Sequence, residues 1–228
     1  MNFYLANPEL DKKVQEIRRK IRLNMNGVTT ELMEKNGILY KQNYGVAIPS
    51  IRIIARQYEP DHDLAQRLWS LKIRETMILA SLLEEPDLFT QEQACLWMED
   101  VNQVELVEQL CMNLFCKLPY ALQFSMELIR SSELWYKITG FTLVLRIAPR
   151  IGKEEAELIV REAVEQSAVE SVGLSTAIAA ALCRLGQNGG EMRNLILSTL
   201  AVIRNTGNKG QEYVVNQVEE EFAFLEDL

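Results

Sequence analysis

The chain has 228 residues, of which 48% are hydrophobic and 25% charged, a balance that argues against a disordered or fibrous protein and favours a soluble globular one. No apolar run reaches the ~18 residues of a membrane-spanning helix, and the N-terminus has no basic segment followed by an apolar core, so we expect a cytoplasmic protein with no signal peptide and no membrane contact. The single histidine and the 4 cysteines match no metal-ligand or disulfide spacing, so we expect no metal and no cofactor.

Charge is distributed unevenly along the chain. The net charge is −8, but residues 1–75 contain 13 basic and 9 acidic side chains, whereas residues 76–228 contain 11 and 23. Phosphate contacts supply much of the affinity of DNA-binding proteins, so the first third can offer a basic patch while the rest would repel a duplex. We therefore expect weak or absent binding to B-form duplex DNA at physiological salt.

Apolar residues recur at helical spacing along almost the whole chain, and the alternation typical of strands is rare. The spacing predicts thirteen helices, at residues 8–23, 29–35, 49–58, 62–69, 74–83, 91–98, 103–115, 118–130, 133–148, 153–166, 169–185, 191–204 and 211–225. Residues 38–47 are predicted to form a loop.

Several predicted helix starts carry capping residues. Asp61 precedes the fourth helix, and Thr90 with Gln93 three positions later forms a capping-box pattern before the sixth. Asn102 and Ser132 are predicted to cap the seventh and ninth helices. These signals indicate an all-α protein whose helices are joined by short turns.

The succession of paired helices favours a repeat architecture. Pairs that recur every 30 to 45 residues are typical of an α-α superhelix of the HEAT or armadillo type, with a compact helical bundle as the alternative. We expect one domain over residues 1–228. Stacked helix pairs present a concave inner face, and that groove is where such proteins usually bind their ligands.

Short motifs in a fixed order resemble one known family. They are YKQNYGVAIP at 40–49, IRIIAR at 51–56, LAQRLW at 64–69, IRE at 73–75, VEQL at 107–110, NLF at 113–115 and LWYK at 134–137. In this order and at these intervals the chain resembles the DNA alkylation repair family, the AlkD-like glycosylases built from HEAT-like helix pairs. The resemblance covers residues 8 to 205 and implies the same helical-repeat fold.

The resemblance also implies an activity. Members of the family excise purines alkylated on a ring nitrogen. Tryptophans trap the lesion against the concave face, an aspartate supports the positive charge that develops on the sugar, and an arginine clamps the DNA backbone. Such a site stabilises a cationic transition state electrostatically.

Two of the matching positions lie on the seventh predicted helix. The family's Trp-Trp-Asp-x-x-Asp segment falls on residues 103–108, so Glu108 matches the catalytic aspartate and Val104 the tryptophan four residues earlier. Valine has no π face for a cationic base or sugar. Glutamate keeps the charge but moves it outward by one methylene, and a misplacement of about an ångström can cost ~100-fold in rate.

The remaining matching positions lie later in the chain. The arginine of the family's Trp-x-x-Arg pattern falls on Ile138, which is uncharged, with Lys137 adjacent. The Lys-Ala-Ile-x-Trp-Ala-Leu-Arg pattern falls on residues 176–183, where the second tryptophan becomes Ala180, the lysine Thr176 and the arginine Cys183.

These substitutions leave two hypotheses for the function. One is a scaffold that has lost catalysis and binds DNA or a protein in its groove. The alternative is a divergent glycosylase that excises alkylated purines with Glu108 as the catalytic acid. The candidate groove positions are Val104, Glu105, Glu108, Lys137, Ile138 and Ala180, and we predict that Val104, Glu108, Ile138 and Ala180 share one concave surface.

Several side chains also have simpler structural explanations. Glu105 and Glu108 lie three positions apart on one helical face, which predicts a solvated carboxylate pair. His62 is predicted to be exposed to solvent. Three tryptophans are predicted core residues: Trp69, Trp97 and Trp135. The first helix is predicted to carry a solvated basic face, with phosphate contact as the alternative, at Lys12, Lys13, Arg18, Arg19, Lys20 and Arg22.

Overall fold

The structure, a computed structural model, describes residues 7–226 and confirms the all-α prediction. Within that range there are thirteen α-helices, three short 3-10 helices and no strand. None of the helices in residues 7–226 is long and apolar enough to cross a membrane. In chain order they are α1 (Pro8–Leu23), α2 (Gly27–Lys35), α3 (Ile48–Ala55), α4 (His62–Ser70), α5 (Arg74–Leu83), α6 (Gln91–Met98), α7 (Val104–Asn113), α8 (Ala121–Ile129), α9 (Leu134–Ile147), α10 (Lys153–Gln166), α11 (Val172–Gly186), α12 (Gly190–Leu200) and α13 (Lys209–Glu226).

Two of the predicted caps are confirmed by their hydrogen bonds. The Asp61 carboxylate accepts from the amide of Leu64 at 2.9 Å at the start of α4. Thr90 and Gln93 form a complete capping box at the start of α6, in which each side chain accepts from the other residue's backbone amide. These caps satisfy amide groups that have no acceptor inside the helix.

Two other caps were predicted wrongly. Gln103, not Asn102, precedes α7, and its side chain makes no capping hydrogen bond. Glu133, not Ser132, precedes α9, and the nearby hydroxyl that accepts from its amide belongs to Ser131. In both places the helix starts one residue later than predicted, because no side-chain cap fixes its first turn.

Several helix ends also differ from the prediction. α3 stops at Ala55 rather than at residue 58, and α7 stops at Asn113 and is followed by a 3-10 turn, Phe115–Lys117. α11 begins at Val172 rather than at residue 169, because Ser171 caps it by accepting from the amide of Leu174. The last turn of the predicted twelfth helix is a separate 3-10 helix, Ala201–Ile203.

The chain divides into two compact units, with unit 1 ending at Pro119 and unit 2 beginning at Tyr120. One domain over residues 1–228 stays a prediction. In unit 1, α5 packs against α3, α4 and α7, and α1 packs against α3 and α4. In unit 2, α9 packs against α8 and α11, α11 also contacts α13, and α12 packs against α10 and α11. Each unit therefore has a central helix, which is α5 in unit 1 and α11 in unit 2. α5 is almost completely buried, whereas α11 also presents exposed residues such as Thr176.

Two of the three tryptophans form the aromatic centre of unit 1. Trp69 on α4 and Trp97 on α6 are buried, and their rings stack with centroids 4.0 Å apart and planes within 1° of parallel. Phe89 meets the face of Trp97 edge-on at 4.7 Å. These two are core residues, as predicted, whereas Trp135 in unit 2 is only half-buried.

His62 is not the solvent-exposed residue that the sequence predicts. Its side chain is 20% exposed, and Nδ1 lies 2.5 Å from Oε1 of the buried Glu84. Glu84 also accepts from the amide nitrogen of Gln66 at 2.9 Å, and Gln66 in turn accepts from the indole of Trp97. Burial raises the pKa of Glu84, although its hydrogen bond with His62 opposes the shift. The sequence gives no sign of this network because its members are 18 to 31 positions apart.

Candidate functional site

The first candidate surface is the exposed side of α7. Val104, which begins the helix, is 48% exposed, and Glu108 lies one turn later on the same face. Glu108 is exposed and makes no hydrogen bond or ion pair with the part of the chain that the structure describes. Its carboxylate is therefore available to a ligand, but the aliphatic side chain beside it offers no aromatic surface.

Glu105 differs from Glu108 and is not part of a solvated carboxylate pair. Its two oxygens accept from Nε and Nη2 of Arg74, at 2.7 and 2.5 Å, in a bidentate pair. Tyr40 donates its hydroxyl proton to the same carboxylate at 3.0 Å. Arg74 is buried on α5, so Glu105 serves to neutralise a buried cation.

The same arginine organises the loop between α2 and α3. Arg74 also donates to the carbonyl of Val46 at 2.9 Å and to Glu75 at 3.0 Å. The buried Glu75 accepts from the backbone amides of Tyr44 and Val46 at 3.1 Å each. The predicted loop at residues 38–47 is thus fixed by two adjacent charged residues of α5.

The electrostatics of this cluster favour a charged Arg74 and a neutral Tyr40. Burial alone would lower the pKa of Arg74, but the hydrogen bonds and charges of Glu105 and Glu75 outweigh it and the net pKa is raised. Burial, and then the negative charge of Glu105, raises the pKa of Tyr40. Arg74 was not among the candidate residues predicted from the sequence. The Arg74–Glu75 pair directly precedes the mainly apolar segment 76–83, which places it at the start of a buried helix.

The candidate positions of unit 2 lie on α9 and α11. Lys137 is half-buried, whereas Ile138 is 4% exposed and its side chain packs beside Gly173 at the start of α11. Ala180 is half-buried on α11. At the position matched to the family's clamping arginine, the side chain therefore faces the interior of unit 2. The common surface of Val104, Glu108, Ile138 and Ala180 stays a prediction.

Two further positions matched to the family's basic side chains, Thr176 and Cys183, are uncharged. Thr176 is exposed, and its hydroxyl lies 3.5 Å from the hydroxyl of Tyr213 on α13. Cys183 is half-buried, and burial, followed by the charge of Glu221, raises the pKa of its thiol to about 11. Neither side chain carries a positive charge that could hold a phosphate.

A basic pocket lies in unit 1, between the end of α3 and α5. It encloses about 220 Å³, and its lining includes Arg52, Arg56 and Tyr58. Arg52 is held in place by a 3.3 Å hydrogen bond to the side-chain oxygen of Asn113. The side chain of Arg56 is exposed and makes no hydrogen bond or ion pair within residues 7–226. Two guanidinium groups at one opening can accept a phosphate.

The basic residues of α1 are only partly free. Lys13 pairs with Asp61 at 3.4 Å, and Lys20 pairs with Glu16 at 2.6 Å. The exposed side chains that make no ion pair within residues 7–226 are Lys12, Arg19 and Arg22. This helix can therefore add positive charge to unit 1 without forming a defined pocket.

Among residues 7–226 no group of three or more His, Cys, Asp or Glu side chains could hold a metal ion.

The structure is similar to a solved structure of a related protein family. One solved structure, described as a new family of proteins related to the HEAT-like repeat DNA glycosylases with affinity for branched DNA structures, aligns with a TM-score of 0.77. The alignment covers 92% of this chain and 94% of that one at 11% sequence identity, which shows the fold alone. The predicted helical-repeat fold is thereby confirmed. A search of curated protein sequences found no match.

The family is shown by a match between the amino-acid sequence and a family model. The model of a family described as DNA alkylation repair enzyme matches residues 8–189, which is most of the chain. This range includes the motifs on α3, α4, α5, α7 and α9 as well as the substituted positions Val104, Glu108, Ile138 and Ala180. The chain is therefore a member of the DNA alkylation repair enzyme family, with its HEAT-like all-α fold.

Proposed function

We propose that this protein is a DNA-binding member of its family that does not excise bases, and that it binds branched DNA in preference to continuous duplex. The observation that carries the proposal is the structural relative with affinity for branched DNA structures, which matches almost the full length of both chains. The fold alone does not establish a function, so the residues of the candidate site have to support it.

The substitutions argue against base excision. The family mechanism needs an aromatic surface and a cation that clamps the DNA backbone, and the matched positions hold the exposed aliphatic Val104 and the buried Ile138. A single exposed carboxylate at Glu108 would act through solvent, which screens its effect on a developing positive charge. The site therefore lacks two of the three groups that would stabilise the transition state.

The charge distribution supports DNA binding at a limited site. The basic pocket of Arg52 and Arg56 and the free cations of α1 all lie in the net-positive first third of the chain. A long duplex would also run past acidic surface, whereas a branch point concentrates phosphates within a short distance. Because affinity follows the number of phosphates neutralised, a compact basic surface favours the branched substrate.

The proposal is tested by comparing the binding of a four-way junction and a linear duplex of equal length by fluorescence anisotropy at fixed salt. We expect the junction to bind at least about tenfold more tightly, and Arg56→Gln to weaken that binding several-fold because it removes a phosphate contact. Lys35→Gln is the matched control, since Lys35 is exposed and pairs only with Glu31. Equal affinity for the two DNAs, or no binding to either, would overturn the proposal, and the second result would favour a protein as the ligand of the groove.

One observation keeps the glycosylase alternative open to test. Glu108 is exposed and unpaired within the described range, so a carboxylate is available on α7. We expect no release of alkylated purines from a methylated oligonucleotide above background. Excision by the wild type that is abolished in Glu108→Gln would show a working glycosylase.

If neither protein excises, a variant with Trp at Val104 and Ala180 and Arg at Ile138 separates two causes. Recovery of excision would show that the scaffold still admits damaged DNA and that only the site was lost. Continued inactivity would agree with a groove used for another ligand. We also propose a cytoplasmic location, which fractionation of cells tests.

A further inference from the structure

A second pocket, in unit 2, lies where two long helices begin side by side. It encloses about 330 Å³ between the N-terminus of α11 and the N-terminus of α13, and its lining includes Ser175, Lys209 and Tyr213. α11 has 15 residues and α13 has 18, so each has a developed macrodipole with its positive end at this pocket. No assignment from the family comparison concerns this place.

Ser175 supplies an observation that is independent of the helix ends. It is only 3% exposed and lines the pocket. Buried helical serines elsewhere in the chain donate back to a carbonyl three positions earlier, as Ser81, Ser125 and Ser167 do at 2.7 Å. Ser175 makes no side-chain hydrogen bond within residues 7–226. The oxygen of Ser175 is not one of the fully enclosed polar atoms, so its hydroxyl is reached from the pocket and can donate to a ligand there.

The start of α13 packs closely against Ser175, because Gly210 is buried there. Gly210, the second residue of α13, lies against this serine, because a Cβ added there would stand 3.1 Å from Oγ and 2.6 Å from the carbonyl of Ser167. Gly173 occupies the corresponding second position of α11. Ser171 and Asn208 already cap the amides of Leu174 and Gln211. The amides that have neither an intrahelical acceptor nor a cap are therefore those of the first two residues of each helix, which include Gly173 and Gly210.

The rim of the pocket carries one charged group that favours an anion, Lys209, and one that opposes it, Glu170. Lys209 is exposed and makes no ion pair within the described residues. Tyr213 is 39% exposed, and its hydroxyl already lies beside Thr176, which can donate to it and leave its own proton free. Glu170 also lines the pocket and opposes an anion. One lysine, two hydroxyls and two helix N-termini together outweigh that single exposed carboxylate.

We propose that this pocket binds a phosphate group, held by the amides at the starts of α11 and α13, by the hydroxyl of Ser175 and by the side chain of Lys209. The phosphate can belong to DNA, which rests on the proposed function, or to a small phosphorylated molecule. In either case the aromatic ring of Tyr213 and the exposed side chain of Val172 give the group attached to the phosphate an apolar surface.

The direct test is a titration with inorganic phosphate, followed by the amide signals of Gly173 and Gly210 in a nitrogen–proton NMR spectrum at constant ionic strength. We expect both signals to move together and to saturate, while Gly27 at the start of α2 does not move. Sodium chloride at the same ionic strength is the control for screening. No saturable movement of Gly173 and Gly210 would overturn the inference.

Variants decide which groups bind. We expect Ser175→Ala and Lys209→Gln each to weaken phosphate binding by roughly tenfold, and Glu170→Gln to strengthen it, because that change removes a like charge. Lys153→Gln removes the same charge from another exposed lysine of unit 2, which pairs with Glu191, and is expected to have no effect. If Ser175→Ala, Lys209→Gln and Lys153→Gln behave alike, phosphate binds elsewhere and the inference fails.

The source of the phosphate is decided by junction binding in the same variants. A matching loss of junction affinity in Lys209→Gln and Ser175→Ala assigns the pocket to DNA. Unchanged junction affinity together with weakened phosphate binding assigns it to a small phosphorylated molecule. A wild type that binds phosphate but no DNA would refute the proposed function, but it would agree with phosphate binding in this pocket. A wild type that binds the junction while Gly173 and Gly210 do not respond to phosphate would refute only the pocket.

Discussion

Glu105 and Glu108 lie on one helix and differ in one respect, since only Glu105 has a buried cation opposite it. Arg74 is buried and makes its two shortest hydrogen bonds to Glu105. Removing one partner of a buried ion pair leaves the other charge uncompensated, which costs more than the pair itself contributes. The two glutamates therefore predict opposite results for the same substitution.

We expect Glu105→Gln to lower the free energy of unfolding by about 2 kcal/mol, because Glu75 still compensates part of the charge of Arg74. Glu108→Gln should change it by less than about 0.5 kcal/mol, as for an exposed side chain without partners. Urea unfolding of the two variants beside the wild type measures the difference. Equal destabilisation would show that the Arg74 cluster does not depend on Glu105.

The buried Glu84 predicts a pH dependence of stability. Its pKa is raised in the folded protein, chiefly by burial, from an ordinary value of 4.5. The folded state then holds this proton more tightly than the unfolded state does, so the contribution of Glu84 is fully present below pH 4.5 and is lost as the pH rises through its raised pKa. His62 and Glu85 face the same carboxylate.

The measurement is the free energy of unfolding of the wild type minus that of Glu84→Gln across the pH range. We expect this difference to fall as the pH rises above 4.5 and then to level off. The same subtraction with the exposed Glu108→Gln serves as the control. A difference that rises with pH would mean that the hydrogen bond with His62, and not burial, controls the titration of Glu84.

These residue roles were only partly predictable from the sequence. The exposure of Val104 and Glu108 agrees with their places on an amphipathic helix. The pairing of Arg74 with Glu105 and the contact of His62 with Glu84 join positions 31 and 22 residues apart, and only the packing of α5 on α7 and of α4 on α5 brings them together. The local sequence pattern predicts on which face of a helix a charged side chain lies, but it does not predict which residue of another helix pairs with it.

At the level of elements, helix starts were predictable where a side chain fixes them. Asp61 and Thr90 cap their helices as predicted because the capping bond is local. Gln103 and Glu133 precede α7 and α9 without a capping bond, and those starts were misplaced by one residue. Helix ends were less predictable, because the 3-10 turns after α7 and α12 depend on packing rather than on a sequence signal.

The contact between α8 and α9 depends on one glycine. A Cβ at Gly140 would stand 2.7 Å from the side chain of Ile129 and 2.8 Å from both the backbone nitrogen of Ile129 and the carbonyl of Ser125. Two of these three atoms belong to the backbone and cannot turn aside. The close approach of the two helices therefore requires the absence of a side chain on α9.

We expect Gly140→Ala to destabilise the protein by about 1–3 kcal/mol, because the added methyl group forces α8 and α9 apart. Gly190→Ala is the matched control, since nothing lies within 4 Å of its added Cβ at the start of α12, and it should be neutral or stabilise by up to about 1 kcal/mol. Thermal unfolding of both variants measures the contrast. A neutral Gly140→Ala would show that the α8–α9 contact relaxes without cost.

For the whole molecule, the helical periodicity and the family motifs were enough to predict the fold, because an all-α repeat protein repeats its local signals along the chain. The ligand of the protein was not predictable in the same way. Substituted positions such as Val104 and Ile138 show what the site has lost, but no single position specifies what replaced it. The uneven charge distribution along the chain is the property that says most about the ligand, because a basic first third favours the binding of phosphates.

Salt dependence tests whether the basic first third binds DNA. Each phosphate neutralised contributes about 0.9 to the slope of log affinity against log salt for duplex DNA. We expect Arg56→Gln to lower the magnitude of that slope by about 0.9 for the junction, and Lys35→Gln to leave it unchanged. Anisotropy titrations between about 50 and 200 mM salt give the slopes. An unchanged slope in Arg56→Gln would remove the pocket of Arg52 and Arg56 from the DNA-binding surface.

The stacked indoles of Trp69 and Trp97 also give the molecule an optical signature. Two indole rings held rigidly 4.0 Å apart in a buried core give a near-ultraviolet circular dichroism signal that disappears when the rings separate, so this signal reports on the packing of unit 1. Unit 2 contains one tryptophan, Trp135, which is half-buried. In a Trp135→Phe variant the tryptophan signals come from unit 1 alone, and comparison with the wild type then follows the unfolding of the two units without any added label.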